Sequence, residues 1–170
     1  MQTNSRRCTT AAHAAQIAIV LTLTVSVGAQ GRPDLSGRWQ ISQAKSSAGA
    51  TGNNATISFP SELVITQHPA ELHVELRHPR SDALKTIYKL DGSEIVIHLP
   101  SSVVERAKAG WDGHRLVISA RRVVSSAFGD FVTDSKETWS RTADVLTIQK
   151  TQSSDGVTDS ETAVFLRAPS

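Results

Sequence analysis

The chain is punctuated by tight turns. Leu90-Asp91-Gly92-Ser93-Glu94 and Trp111-Asp112-Gly113-His114-Arg115 each set an Asp-Gly pair between runs that alternate apolar and polar residues. In that setting Asp-Gly is the strongest short-range hairpin signal, because tight hairpin turns need positive φ at central residues and glycine adopts it without steric cost. Further turns fall at Pro69-Ala70, within 141–144 and at Asp155-Gly156. This grammar restricts the chain to a meander of short antiparallel strands.

The alternation predicts ten strands: residues 37–41, 62–68, 71–78, 84–90, 94–99, 103–111, 115–124, 131–140, 145–151 and 161–167. Strands at about this spacing, with no helical period beyond the first thirty residues, indicate a sandwich or a barrel. Register supports the reading. A two-residue loop at Pro69-Ala70 sets Leu63 opposite Leu76, Ile65 opposite Val74 and Gln67 opposite Leu72, with Glu62 against Arg77 and Thr66 against His73 on the other face. A loop at Asp91-Gly92 pairs Tyr88 with Ile95, Thr86 with Ile97, Leu84 with Leu99 and Lys89 with Glu94. The next two hairpins set Ala109 against Leu116, Ala107 against Ile118, Trp139 against Leu146 and Glu137 against Ile148. A one-residue slip would turn each apolar set to water. Open sheet edges invite aggregation, so a one-sided meander must close or pack on a second sheet. An all-β, antiparallel up-and-down barrel of about 8–10 strands is the expected fold; a Greek-key sandwich is the alternative.

Residues 1–29 read as a separate leader. Arg6 and Arg7 form a basic start, 14–27 is apolar, and Val27-Gly28-Ala29 ends in small or compact residues. This is the three-part secretory signal, with cleavage expected after Ala29 and a signal-peptide helix preceding the barrel. Its apolar run falls short of the roughly 20 residues a spanning helix needs, so no stable membrane anchor is expected after cleavage. The domain proper is then residues 30–170, and an exported, periplasmic or extracellular location follows. Cys8 is the only cysteine and leaves with the leader, so the core alone must hold the exported domain. Arg6 and Arg7 also leave, which takes the net charge from +2 to zero. Without a basic run or interleaved aromatics, no nucleic-acid surface is expected.

Gly37-Arg38-Trp39 on the first strand resembles the Gly-x-Trp signature of lipocalins and the wider calycin group. Arg167, near the end of the last strand, sits where those barrels carry an arginine that packs over the tryptophan. Together with Asp34-Leu35-Ser36, Leu90-Asp91-Gly92, Ala109-Gly110-Trp111-Asp112-Gly113 and Glu137-Thr138-Trp139, it looks like a group of secreted bacterial lipocalin-like domains. The resemblance implies Gly37, Trp39 and Arg167 as a structural signature at the closed end of a barrel, and a small, mostly apolar molecule as partner.

Five histidines lie beyond the leader: His68, His73, His78, His98 and His114. They lack the spacing of converging ligands, so they read as surface residues and no metal or cofactor is expected. Neither a Gly-x-Ser-x-Gly elbow nor a phosphate loop is present. The polar residues on core-facing positions carry more. Glu105 alternates with Ala107, Ala109 and Trp111. Arg122 follows Leu116, Ile118 and Ala120, and Glu137 shares a face with Trp139. With Tyr88 these residues are the candidate ligand contacts, in a cavity whose few polar groups would orient a guest. A neighbouring arginine satisfying Glu137 inside a filled barrel is the competing arrangement. Three functions follow: a non-catalytic binding module, an interaction or inhibitor domain with a filled barrel, and a barrel enzyme using Glu105 or Glu137 as general base.

Overall fold

A computed structural model describes residues 31–47, 59–99, 103–127 and 129–169. The leader, residues 1–29, lies outside the described residues. The ten strands are β1 (Gly37–Ile41), β2 (Glu62–Gln67), β3 (Glu71–His78), β4 (Ser81–Lys89), β5 (Asp91–Leu99), β6 (Val103–Asp112), β7 (Arg115–Ser126), β8 (Gly129–Thr142), β9 (Val145–Ser154) and β10 (Val157–Arg167). A single 3-10 turn, Gln43–Lys45, follows β1. One antiparallel sheet contains every strand in the order β4-β3-β2-β1-β10-β9-β8-β7-β6-β5. The first and last strands join, with Trp39 opposite Arg167 and Ile41 opposite Phe165, and this pairing rolls the sheet into a nearly closed barrel.

The register of β2 and β3 is the one the alternation predicts, from Glu62 opposite Arg77 to Gln67 opposite Leu72. Two other hairpins differ by two residues. Ala109 faces Ile118 and Trp111 faces Leu116. Likewise Trp139 faces Ile148, and Arg141 faces Leu146. The cause is where each turn begins. Asp112 pairs with Arg115, so the loop is Gly113-His114, with positive φ at Gly113 alone, as a type II′ turn needs. Positive φ at Ala143 marks the equivalent start of the β8–β9 loop. An even shift preserves which face each side chain takes, so the predicted core survives it.

The Asp91-Gly92 hairpin does not form. Leu90 N–H donates instead to Ala70 O at 2.9 Å, on the β3 side, while Asp91 pairs with Gly110 of β6. The chain therefore crosses between Leu90 and Asp91 from one edge of the sheet to the other. Tyr88, Thr86 and Leu84 pair with Leu72, Val74 and Leu76 of β3, not with Ile95, Ile97 and Leu99. Between β4 and β5 runs a seam with a space of about 250 Å³, lined by residues 84–87 and 95–98. Ile87 and Val96 stand on its two lips, about half exposed at 50% and 47%.

The core concentrates at one end. Leu35, Trp39, Leu63, Leu72, Leu116, Trp139, Leu146, Ile148, Ala163 and Phe165 are at most 3% exposed and form one cluster.

Candidate functional site

The floor of the barrel is built from the chain before β1. Leu35 N–H donates to Gln67 Oε1 at 2.9 Å and Leu35 O accepts from Trp39 Nε1 at 3.0 Å, so the lead-in segment folds under the indole. Arg167 lies over the Trp39 ring at 4.6 Å and Arg141 contacts it at 5.7 Å. Arg167 also donates to Ser36 O at 3.1 Å and pairs with Asp144 at 3.2 Å. Gly37 explains why the turn of chain can lie so close. Its φ is +142°, and a Cβ there would sit 2.6 Å from an Arg167 guanidinium nitrogen. Glycine, arginine and tryptophan thus form one stacked plug, with the cation over the electron-rich ring face.

Above the plug the inward-facing side chains change character, and cross-strand rows make the change visible. One row runs Trp111, Leu116, Trp139, Ile148 and Ala163 across β6 to β10. The next row runs Ala109, Ile118, Glu137, Lys150 and Glu161. Further up, Ala107, Ala120, Ser135, Gln152 and Asp159 form a third, and Ile97, Glu105, Arg122 and Thr133 a fourth. The last row, Leu99, Val103, Val124 and Phe131, is apolar again. A polar belt therefore lies between an apolar floor and an apolar rim.

Within the belt the ionisable groups are paired. Arg122 donates through Nε to Glu105 Oε2 at 2.8 Å, and its Nη2 lies 2.7 Å from the same oxygen. Lys150 lies 3.6 Å from Glu161 with both side chains largely buried. Trp139 Nε1 donates to Glu137 Oε2 at 2.9 Å, so the indole of the fifth candidate holds the carboxyl of the fourth. Among the described residues, the arginine on Glu137 that the competing arrangement supposes is not found; Arg122 takes Glu105. Burial pushes the Glu137 carboxyl above the ordinary range, against the opposing pull of the Trp139 hydrogen bond and nearby Lys150. Burial also pushes the Tyr88 phenol up, with the charges of Glu137 and Glu105 adding to it.

Tyr88, Glu105, Arg122 and Glu137 meet around one cavity of about 50 Å³, completed by Ile118, Ala120, Thr133, Ser135, Lys150 and Gln152. Trp139 touches this site through Glu137. Gly37, Trp39 and Arg167 form the plug beneath it. Among the belt residues that the candidate set lacks are the paired Lys150 and Glu161. Their signal was present: Lys150 continues the spacing of Leu146 and Ile148, and Glu161 that of Phe165 and Ala163.

The histidines lie apart from this site. His73 stands opposite Thr66, as the register predicts, and the ring of His68 reaches within 4.8 Å of its own. No group of three or more His, Cys, Asp or Glu residues among those described could hold a metal ion.

Ten antiparallel strands in meander order, rolled over a plugged floor, define a nearly closed barrel of calycin-like type. No family model matches this chain, and no curated protein sequence matches it at significance. Solved structures do resemble it. Zebrafish ileal bile acid-binding protein, complexed with cholic acid, superimposes with a TM-score of 0.56 at 11% identity, over 78% of this chain and 98% of that one. Secretory abundant heat soluble protein 4 from Ramazzottius varieornatus gives 0.52 at 15% identity, over 79% and 94%. A REP1-NXSQ fatty acid transporter gives 0.52 at 10%, over 80% and 97%. At such identities the likeness is one of fold.

Proposed function

We propose that this protein is an exported, non-catalytic binding module that holds a small molecule with an apolar body and a polar head inside the barrel. The head meets the belt around Tyr88, Glu105, Arg122 and Glu137, and the body lies against the apolar rim. One observation carries this reading: ionisable side chains at inward-facing positions gathered around a cavity in the barrel. Burying an ion pair such as Lys150 and Glu161 often costs stability relative to apolar residues of similar volume. A belt kept polar at that cost fits recognition, as do its raised Glu137 carboxyl and its place in a cavity. The neighbouring barrels that carry a bile acid or a fatty acid support the same class of ligand.

The second reading, a filled barrel that works through its surface, is favoured by the size of the cavity. About 50 Å³ admits a few waters and not a ligand of ordinary size. The two readings part on one measurement. Titration with N-phenyl-1-naphthylamine, an uncharged fluorescent apolar probe, is expected to give saturable binding with quenching of tryptophan emission. Ala120→Phe, which fills the cavity, is expected to weaken that binding at least tenfold while the far-ultraviolet spectrum stays that of β-structure. Absence of saturable binding in the native protein would exclude the carrier and leave the filled barrel.

A further inference from the structure

The charges in the belt do not balance, and the imbalance selects a ligand. Facing inward in the belt, above the two arginines of the plug, are four carboxyl groups, Glu105, Glu137, Asp159 and Glu161, and two cations, Arg122 and Lys150. Each cation already has its own carboxylate: Arg122 binds Glu105 at 2.7 Å and Lys150 lies 3.6 Å from Glu161. The carboxylate partners are the more enclosed members, with 14% and 12% of their side chains exposed. An incoming anion would meet cations already neutralised by their carboxylates, and would add a negative charge beside Glu137 and Asp159. Like charges brought together in a partly dry site are strongly unfavourable. A head that donates a hydrogen bond meets the opposite situation, since Glu137, Ser135, Thr133 and Gln152 all offer acceptor oxygens around the cavity.

Resting on the binding reading above, we infer that the barrel selects amphiphiles whose head donates a hydrogen bond and carries no negative charge, an alcohol or a protonated amine, and rejects carboxylates of the same chain length. A free anion site would need a cation without a partner carboxylate. Glu105 and Glu161 are therefore specificity-determining residues: they keep Arg122 and Lys150 occupied.

The test is displacement of N-phenyl-1-naphthylamine by decanol, decylamine and decanoate near neutral pH and below their micellar concentrations. At least one of the two donor-headed compounds is expected to displace the probe tenfold more effectively than decanoate, and the two arms separate the neutral head from the cationic one. Glu105→Gln, which frees the guanidinium of Arg122, is expected to improve decanoate at least tenfold relative to decanol. Glu161→Gln provides the same release at Lys150 should Glu105→Gln fold poorly. Equal or better displacement by decanoate in the native protein would overturn the inference while the carrier reading stands. A probe that does not bind at all would overturn both.

Discussion

The floor and the belt of this barrel share the same strands, yet their interiors follow different rules. At the floor the inward side chains are apolar apart from Gln67, which accepts from Leu35 N–H, and Arg141 and Arg167, which lie over the Trp39 indole with their polar edges capped by backbone carbonyls and a carboxylate. In the next three rows, the same five strands present carboxylates, a lysine, an arginine and an amide. Strand geometry treats the two regions alike, so secondary structure cannot account for the difference. The floor is packed as a core, whereas the belt carries charge on inward-facing positions.

That division is open to breaking by substitution. Trp39→Ala removes the largest fully buried side chain and the surface on which two guanidinium groups rest. A loss of about 3–5 kcal/mol is expected from denaturant unfolding; a loss under about 1 kcal/mol would mean the plug is not the floor's main support. Gly37→Ala sets a side chain at a φ of +142° and drives it into Arg167. About 2–3 kcal/mol is expected from strain and the displaced cation together, read as a lowered midpoint with unchanged slope.

The belt should respond differently. Lys150→Met removes the cation 3.6 Å from Glu161 and is expected to cost about 1–2 kcal/mol. Lys150→Met combined with Glu161→Leu should recover that loss or exceed the native stability. A double variant less stable than the single one would assign the belt a structural role after all.

The smallest effect concerns pH. The Glu137 carboxyl is raised by burial, so its contribution to stability is full below the ordinary carboxylate value and is lost as pH rises through the folded value. Glu137→Gln keeps an oxygen for Trp139 Nε1 and removes that loss. The variant should gain thermal stability over the native protein toward alkaline pH and no such gain in acid. Glu62 and Glu75 act in the opposite sense. Hydrogen bonds from Arg38 and Arg77 hold their carboxyls low, so their contribution fades as pH falls. A stability difference between Glu137→Gln and native protein that did not change with pH would contradict the assignment.

How much of this was legible in the sequence depends on the range of the interaction. The ten strands and their inward faces follow from alternation, and the β2–β3 register follows from Pro69-Ala70. Both are local. The Asp91-Gly92 turn misleads because its chemistry is local while its pairing is not. Ring closure through Trp39 and Arg167 fixes how many neighbours each strand has, and the crossing at Leu90–Asp91 falls where none remains. The candidate contacts Tyr88, Glu105, Arg122 and Glu137 converge because parity put them on one face. Which carboxylate meets which cation depends on stagger between strands, which turn residues alone set only to within two positions. Hence Glu105 rather than Glu137 takes Arg122, and Lys150 and Glu161 complete the belt from strands whose polar ends read as solvent-facing.

The crossing has a mechanical consequence. A cylinder bonded around its whole circumference cannot change girth without breaking its ladders. This wall is a ribbon wound once, with its two long margins held together by one covalent link and by side chains. Spreading along that seam would leave every hydrogen-bonded ladder intact, so the carrier reading does not require a guest as small as the space at rest.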